Sequence, residues 1–244
     1  MFLAVPDDSV LPTAKLLAAA GKRIPESVAF VHLSGALPLA ALEPLRARHQ
    51  IGSFHPLQSF PEPRPPASLR GIVVAVDASS PLLRQRLARL AHALGARARR
   101  VGDSDRVLYH AGAVFASNYV DALLAEGVRL LEAAGWSEKD ATSGLLALAG
   151  GTLASVRKRG AVAALTGPVR RGDVTTIERH LSALSGLATD GGSRHGPPVD
   201  DAYRMLGLIA LEIAVEAGLE PAAAERTRRA LTEQPAATRR RRRA

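Results

Sequence analysis

His110, Ser117 and Asn118 stand at intervals that a helix would bring to one side. At 100° per residue, Ser117 and Asn118 both fall within about 80° of His110. The surrounding segment is otherwise apolar, with Val107, Leu108, Ala111, Val114 and Phe115. Polar side chains on such a helix either bond to one another in a core or face a cleft, because an unpaired buried polar group costs free energy. The small residues Ala111, Gly112 and Ala113 permit close approach of a ligand or a second backbone, which favours the cleft. An imidazole beside a carboxamide can pass a proton to a substrate and orient it. His110 and Asn118 are therefore candidate catalytic residues, and Ser117 a candidate substrate-binding one.

Four further segments carry polar or exposed groups that packing alone would not demand. His32-Leu33-Ser34-Gly35 follows an apolar run, at the carboxyl end of an expected strand, where α/β sheets place their ligand crevice. Ser34 and Gly35 are candidate substrate contacts there, or equally an ordinary turn and helix cap. In Gly52-Ser53-Phe54-His55-Pro56-Leu57-Gln58-Ser59-Phe60, Pro56 holds His55 extended, either as an acid/base at a rim or as a solvated loop residue. Leu165-Thr166-Gly167-Pro168 is a turn into a helix capped by Asp173, and Thr166 and Gly167 are candidates for a pocket wall or a structural turn. At the start, Phe2-Leu3-Ala4-Val5-Pro6-Asp7-Asp8 reads as an internal strand of a nucleotide-binding sheet. Its carboxyl end, Ala4, Val5 and Pro6, would lie beside a cofactor.

The elements that would position these residues fall into two regimes. Up to Gly102, β-rich runs at 2–5, 28–32, 51–54, 71–76 and 97–101 alternate with helical patterns near 8–20, 37–48 and 80–95, which predicts βαβ units and a parallel sheet. Asp7 or Asp8 and Ser79 or Ser80 suit helix N-caps, and Gly21 and Gly95 suit stops. The proline-rich stretch 61–68 can hold neither a helix nor a central strand. From Asp103 or Ser104 the pattern turns helical, first as one unbroken helix to Gly135. Its apolar circumference is wide enough to need wrapping by other helices or a second subunit. A capping box at Ser137 and Asp140 starts the next helix, which breaks at Gly150-Gly151 and ends at Gly160. Further helices read at 173–185, 199–217 and 221–233, the last begun by Pro221. The domains expected are 1–102 and 103–234, with an Arg-rich, disordered tail over 235–244.

Of the net charge of +9, five units sit in Arg239 to Arg243, which leaves +4 on the body. No aromatic or basic stripe accompanies the tail, so nucleic acid is not an expected partner. The absence of cysteine excludes disulfides, a thiolate zinc site and a cysteine nucleophile, and fits a reducing compartment. No apolar run approaches the ~20 residues of a membrane helix. The reading is a cytoplasmic protein with no membrane partner and no metal site.

Taken in order, His-Leu-Ser-Gly, Phe-His-Pro-Leu-Gln-Ser-Phe, Tyr-His-Ala-Gly-Ala-Val-Phe-Ala-Ser-Asn-Tyr and Leu-Thr-Gly-Pro-Val-Arg-Arg-Gly-Asp resemble the Rossmann-like family that carries the domain of unknown function 2520. The likeness spans residues 1–217 and is most specific over 107–173. That family is similar to pyrroline-5-carboxylate reductase and ketopantoate reductase. The resemblance implies a partial Rossmann-like parallel sheet followed by an all-α domain like the carboxyl-terminal domain of 6-phosphogluconate dehydrogenase. It further implies NADP, with NAD as an alternative, a small carbonyl or imine substrate, and a homodimer built on the helical domain. Relatives often pair a lysine with an asparagine one turn later. One turn before Asn118 stands Val114, so His110 becomes the first candidate acid.

No Gly-x-Gly-x-x-Gly occurs in the 244 residues. The resemblance implies that the first strand, that loop and the next two strands would occupy roughly 60–80 residues upstream, so a late start or a fragment is expected, with cofactor binding weakened accordingly. The competing function is a cofactor-free dimerisation or scaffold protein built on the helices.

Overall fold

The computed structural model describes residues 1–187 and 198–233, so the expected tail at 235–244 lies outside the described residues. The chain divides into two compact units, Met1–Leu123 and Leu124–Ala244. This division falls later than the boundary expected at 103. The reason is local, since the first helix after the sheet is fastened to the strand ends by a buried arginine described below.

In the first unit, β1 (Phe2–Leu3), β2 (Phe30–His32), β3 (Ile51–Pro56), β4 (Val73–Ala78) and β5 (Arg97–Arg100) form one sheet in sequence order. β1, β2 and β3 are parallel, as are β4 and β5, but β4 runs antiparallel to β3. The sheet is thus mostly parallel, as expected, with one antiparallel pair. A parallel return needs a crossover, usually a helix, and the prolines between Pro56 and Val73 permit only a short 3₁₀ turn at Pro66–Leu69.

Alternation along the strands divides the core into two layers. Leu3, Phe30 and Ile51 face α1 (Asp7–Ala19) and the 3₁₀ segment Leu39–Leu45, burying Val10, Ala14, Leu42 and Leu45. Val31, Phe54, Val74 and Val76 face α2 (Pro81–Ala93), burying Leu83, Leu87 and Ala91. Each fully buried aliphatic side chain contributes about 1.5–3 kcal/mol. Pro44 keeps the expected helix at 37–48 in 3₁₀ form. Ser80 caps α2 as expected, its hydroxyl accepting from the Leu83 amide, and Gly95 follows the helix with φ 78°. α1, by contrast, takes no side-chain cap from Asp7 or Asp8.

The helix expected to run unbroken to residue 134 is two, α3 (Asp103–Ala116) and α4 (Asn118–Ala133). Ser117, at φ −125° and ψ −75°, leaves helical geometry between them. α5 (Glu138–Ala164) is capped by Ser137 and passes through Gly150-Gly151 without a break. The expected interruption lies instead at Gly160, whose φ of 78° kinks the chain before it resumes to Ala164. The core of the second unit is made by α6 (Pro168–Arg171), α7 (Val174–Leu187), α8 (Val199–Glu216) and α9 (Pro221–Thr232), with Val169, Ile177, Leu181, Leu211, Ala224 and Leu231 buried. Gly207 lets α8 and α9 pack closely, since a Cβ there would stand 2.6 Å from Leu231. The Arg204 side chain closes the end of α9 by donating to the carbonyls of Ala230, Leu231 and Glu233.

Candidate active site

The chemistry gathers at the carboxyl ends of β2 and β3. His55 projects from the same face of β3 as Ser53, because side chains two apart share a face. His32 stands opposite Ser53 in the parallel register. Beneath them lies Arg106 of α3, fully buried. Its Nη2 donates to Ser53 Oγ at 2.6 Å and to the Val101 carbonyl at 3.1 Å, and its Nη1 donates to the Ser34 carbonyl at 3.4 Å. Asp103, 3.8 Å from its Nε, supplies the counter-charge. One guanidinium thus ties the loop after β2, the middle of β3 and the start of α3 together.

That anchorage sets the next turn of α3, where Tyr109 and His110 lie three and four residues beyond Arg106. The Tyr109 hydroxyl is 2.7 Å from His55 Nδ1, with the two rings edge to face. The rings of His55 and His110 have centroids 6.3 Å apart. Gly35 is what allows them to converge. A Cβ at Gly35 would stand 2.8 Å from His110 Nδ1 and from His55 Cε1 and Nε2. His110 Nδ1 is buried without a hydrogen-bond partner among the described residues.

His55, Gln58, Tyr109, His110, Ser117 and Asn118 line one cleft of about 440 Å³. The expected stripe of His110, Ser117 and Asn118 therefore reaches a single cleft, even though the helix carrying it breaks at Ser117. None of the residues lining this cleft bears a fixed charge.

Burial holds His55 and His32 neutral near pH 7. Burial lowers the pKa of His55 to about 4, reinforced by His110 and Arg106 and opposed by Asp7. Burial and then Arg106 lower His32 likewise to about 4, against Asp7 and Asp103. Burial raises the Tyr109 phenol above its ordinary value, while Arg106 pulls it down. An imidazole can still act here as a hydrogen-bond donor on one nitrogen and an acceptor on the other.

The other expected site residues are placed differently. Ser34 Oγ donates to Asp7 Oδ2 at 2.7 Å and accepts from the amides of Ala36 and Leu37. Its proton and both lone pairs are used, so it fastens a turn to α1 and has no bond left for a substrate. Gly35 is buried behind the two imidazoles and sets their spacing. Ala4, Val5 and Pro6 are exposed just past β1, at the same carboxyl edge of the sheet. Thr166 and Gly167 belong to the second unit, where they line a surface cleft with Arg170, Arg171 and Leu219. Sequence reasoning missed Arg106, Tyr109 and His32. The available signal for the first two was the spacing Arg106, Tyr109, His110, which puts a cation and a phenol on the turn that carries the histidine.

The layers and the strand-end cleft define a Rossmann-like α/β protein with an appended helical unit. The sequence matches the domain of unknown function DUF2520 over residues 72–210, and the chain belongs to that family. A Bacteroides fragilis protein provisionally described as an NADP oxidoreductase is similar in structure at 23% identity and a TM-score of 0.65, over 88% of this chain and 74% of that one. A Thermotoga maritima protein matches at 23% identity and a TM-score of 0.69, over 88% of this chain and 78% of that one. The pyrroline carboxylate reductase of Plasmodium falciparum, solved with NADP bound, matches at 13% identity and a TM-score of 0.50, over 95% of this chain and 81% of that one. At these identities the likeness establishes the fold. No match is found among curated proteins. Among the described residues, no helix is long and apolar enough to cross a membrane.

Proposed function

We propose that the protein is an NAD(P)-dependent oxidoreductase that reduces a small carbonyl or imine in the cleft of His55 and His110. The observation that carries this reading is the convergence of His55, at the carboxyl end of β3, with His110 of α3 on one cleft, where open α/β sheets receive their ligands. Support comes from the similarity in fold to proteins described as NADP oxidoreductases. The exposed strip Ala4–Pro6, at that same edge, fits the flat face of a nicotinamide ring through small apolar side chains and open backbone. Reduced nicotinamide, when bound, supplies a hydride. No residue here is assigned to the cofactor's diphosphate. The chain's own groups then have separable roles. His55 and His110 serve the proton, Asn118 and Ser117 orient the substrate oxygen or nitrogen, and Gln58 closes the polar side of the cleft. NADP is favoured over NAD by the same relatives.

Thermal melting with NADPH, alone and with a panel of 2-oxo acids and cyclic imines, tests the reading. Ligand at 100 times its Kd stabilises the folded state by about 2.7 kcal/mol, so an upward shift is expected that grows as NADPH is raised past its weakened Kd, with a further one for a cognate substrate. No shift with any of them, together with early melting of His110→Ala and Asn118→Ala, would instead favour the cofactor-free scaffold.

A homodimer belongs to the same proposal. α5 exposes Leu146 and Leu153, two turns apart on one face of the helix, at 55% and 63%. Large apolar patches of this kind are rare on monomers, and a second copy of the same surface would cover them. Light scattering at micromolar concentration should report twice the 25.6 kDa chain mass, and a monomer mass would exclude it.

A further inference from the structure

Tyr109 lines the cleft but has no part in hydride transfer or substrate orientation, yet its hydroxyl is bound to His55 Nδ1 at 2.7 Å. We propose that Tyr109 is the proton reservoir behind His55, reloading Nδ1 as Nε2 gives its proton to the substrate. The inference rests on the oxidoreductase reading of the cleft. It names a positioning residue that acts through His55 and does not itself touch the substrate.

The argument begins with proton bookkeeping. His55 is neutral at physiological pH, because it lies in a buried site among Arg106, His110, Tyr109 and His32, with Asp7 as the opposing carboxylate. A neutral imidazole that simply loses its remaining proton becomes imidazolate, a far stronger base than water would permit near neutral pH. It can act as an acid only if the other nitrogen gains a proton in the same event. Tyr109 is the group placed to supply it.

The step balances as follows. Hydride and its electron pair reach the substrate carbon, and the π pair of the C=O or C=N bond moves to the oxygen or nitrogen. That atom takes the proton from His55 Nε2, whose N–H bonding pair stays in the ring. The Nδ1 lone pair accepts the Tyr109 hydroxyl proton, and the O–H pair remains on Tyr109 as phenolate. His55 ends neutral, with its proton moved from Nε2 to Nδ1, and solvent returns one proton to restore the starting state. Arg106 attracts the transient phenolate, which is the direction in which it already pulls the Tyr109 phenol. The relay requires one tautomer. The Tyr109 hydroxyl donates to Nδ1, and the proton of His55 stands on Nε2. Nε2 lies beside Gly35 and His110, and the His55 ring lines the cleft.

Nitrogen-15 NMR of the histidine rings in the full chain tests this without cofactor or substrate, with His55 assigned by loss of its signals in His55→Gln. The wild-type spectrum at pH 7 should show His55 neutral with Nδ1 unprotonated, and a neutral ring down to about pH 4. In Tyr109→Phe the tautomer preference should collapse towards a mixture. A wild-type His55 protonated on Nδ1, or charged at pH 6 to 7, would overturn the relay even if the variant did not fold.

Turnover of NADPH against the 2-oxo acid and cyclic imine panel adds a second reading. Wild-type turnover should not fall as pH rises from 5 to 8, whereas an imidazolium acid of ordinary pKa would lose activity through about 6.5. Tyr109→Phe leaves only the charged imidazole as donor. With a pKa of about 4, that form is a fraction on the order of 10⁻³ at pH 7. The variant should therefore lose about 10²-fold or more at pH 7 and regain activity as pH falls. Equal activity and an unchanged pH profile in the variant would overturn the relay. If wild type turns over nothing in the panel, the oxidoreductase reading fails, and the tautomer spectrum alone decides the Tyr109 assignment.

Discussion

Replacing Arg106 with leucine is expected to destabilise the sheet unit by about 3–5 kcal/mol. The side chain is fully buried, and its head donates to Ser53 Oγ and to the carbonyls of Ser34 and Val101. Hydrogen bonds from a charged donor are worth about 1.5–3 kcal/mol each, and removing the donor leaves buried acceptors without partners. Leucine recovers part of the apolar stem but none of those bonds. A melting midpoint lower by about 10–20 °C follows at the few degrees per kcal/mol typical of a unit this size. Arg106→Lys should recover only part of the loss, because an ammonium cannot span acceptors on three segments as a planar fork does. Arg106→Leu should also raise the titration of His32 and His55, since the Arg106 charge helps to hold both down. A midpoint within two degrees of wild type would show that the three-segment anchor is not what holds α3 on the sheet.

Adding a single methyl group at Gly35 should disable the site. The new Cβ of Gly35→Ala would lie 2.8 Å from both His110 Nδ1 and His55 Nε2, closer than real Cβ contacts come. Either ring must then retreat by several tenths of an ångström, and His55 cannot do so without straining its 2.7 Å bond to Tyr109. Misplacement on the scale of an ångström costs about 10²-fold in rate, and overpacking a buried position costs about 1–3 kcal/mol in stability. Both effects are expected, with turnover the larger. The histidine ring resonances should move for His55 and His110 together. Unchanged resonances with full activity would mean that the two rings do not converge on Gly35 in solution.

Much of the secondary structure was legible from residues alone. Ser80, Ser137, Asp173 and Pro221 each mark a helix start by chemistry that acts within a few residues, through a hydroxyl or carboxylate on a nearby amide or a ring that presets φ. The strands announced themselves by β-rich apolar runs, and the stripe of His110, Ser117 and Asn118 by helical spacing that survives the break at Ser117. These are local facts, decided by neighbours in the chain.

What only the tertiary structure decided concerns partners far apart in sequence. Hydropathy put Val107 and Leu108 on a surface for other helices or a second subunit to wrap, and within the chain they are 72% and 78% exposed while Arg106 beside them is 0% exposed. Burial follows which face of α3 meets the sheet, and that face was chosen by acceptors on β3 and on the loop after β2. Likewise, Ser34 looked free to bind substrate until Asp7, 27 residues away, accepted its hydroxyl hydrogen bond. Tyr109 looked inert until His55, 54 residues away, came to its hydroxyl. The reversal of β4 belongs to the same class, because strand direction depends on where a proline-rich loop lets the chain return. The residue types thus fixed the chemistry available, and the meeting of distant segments decided which groups were consumed by structure and which were left to act.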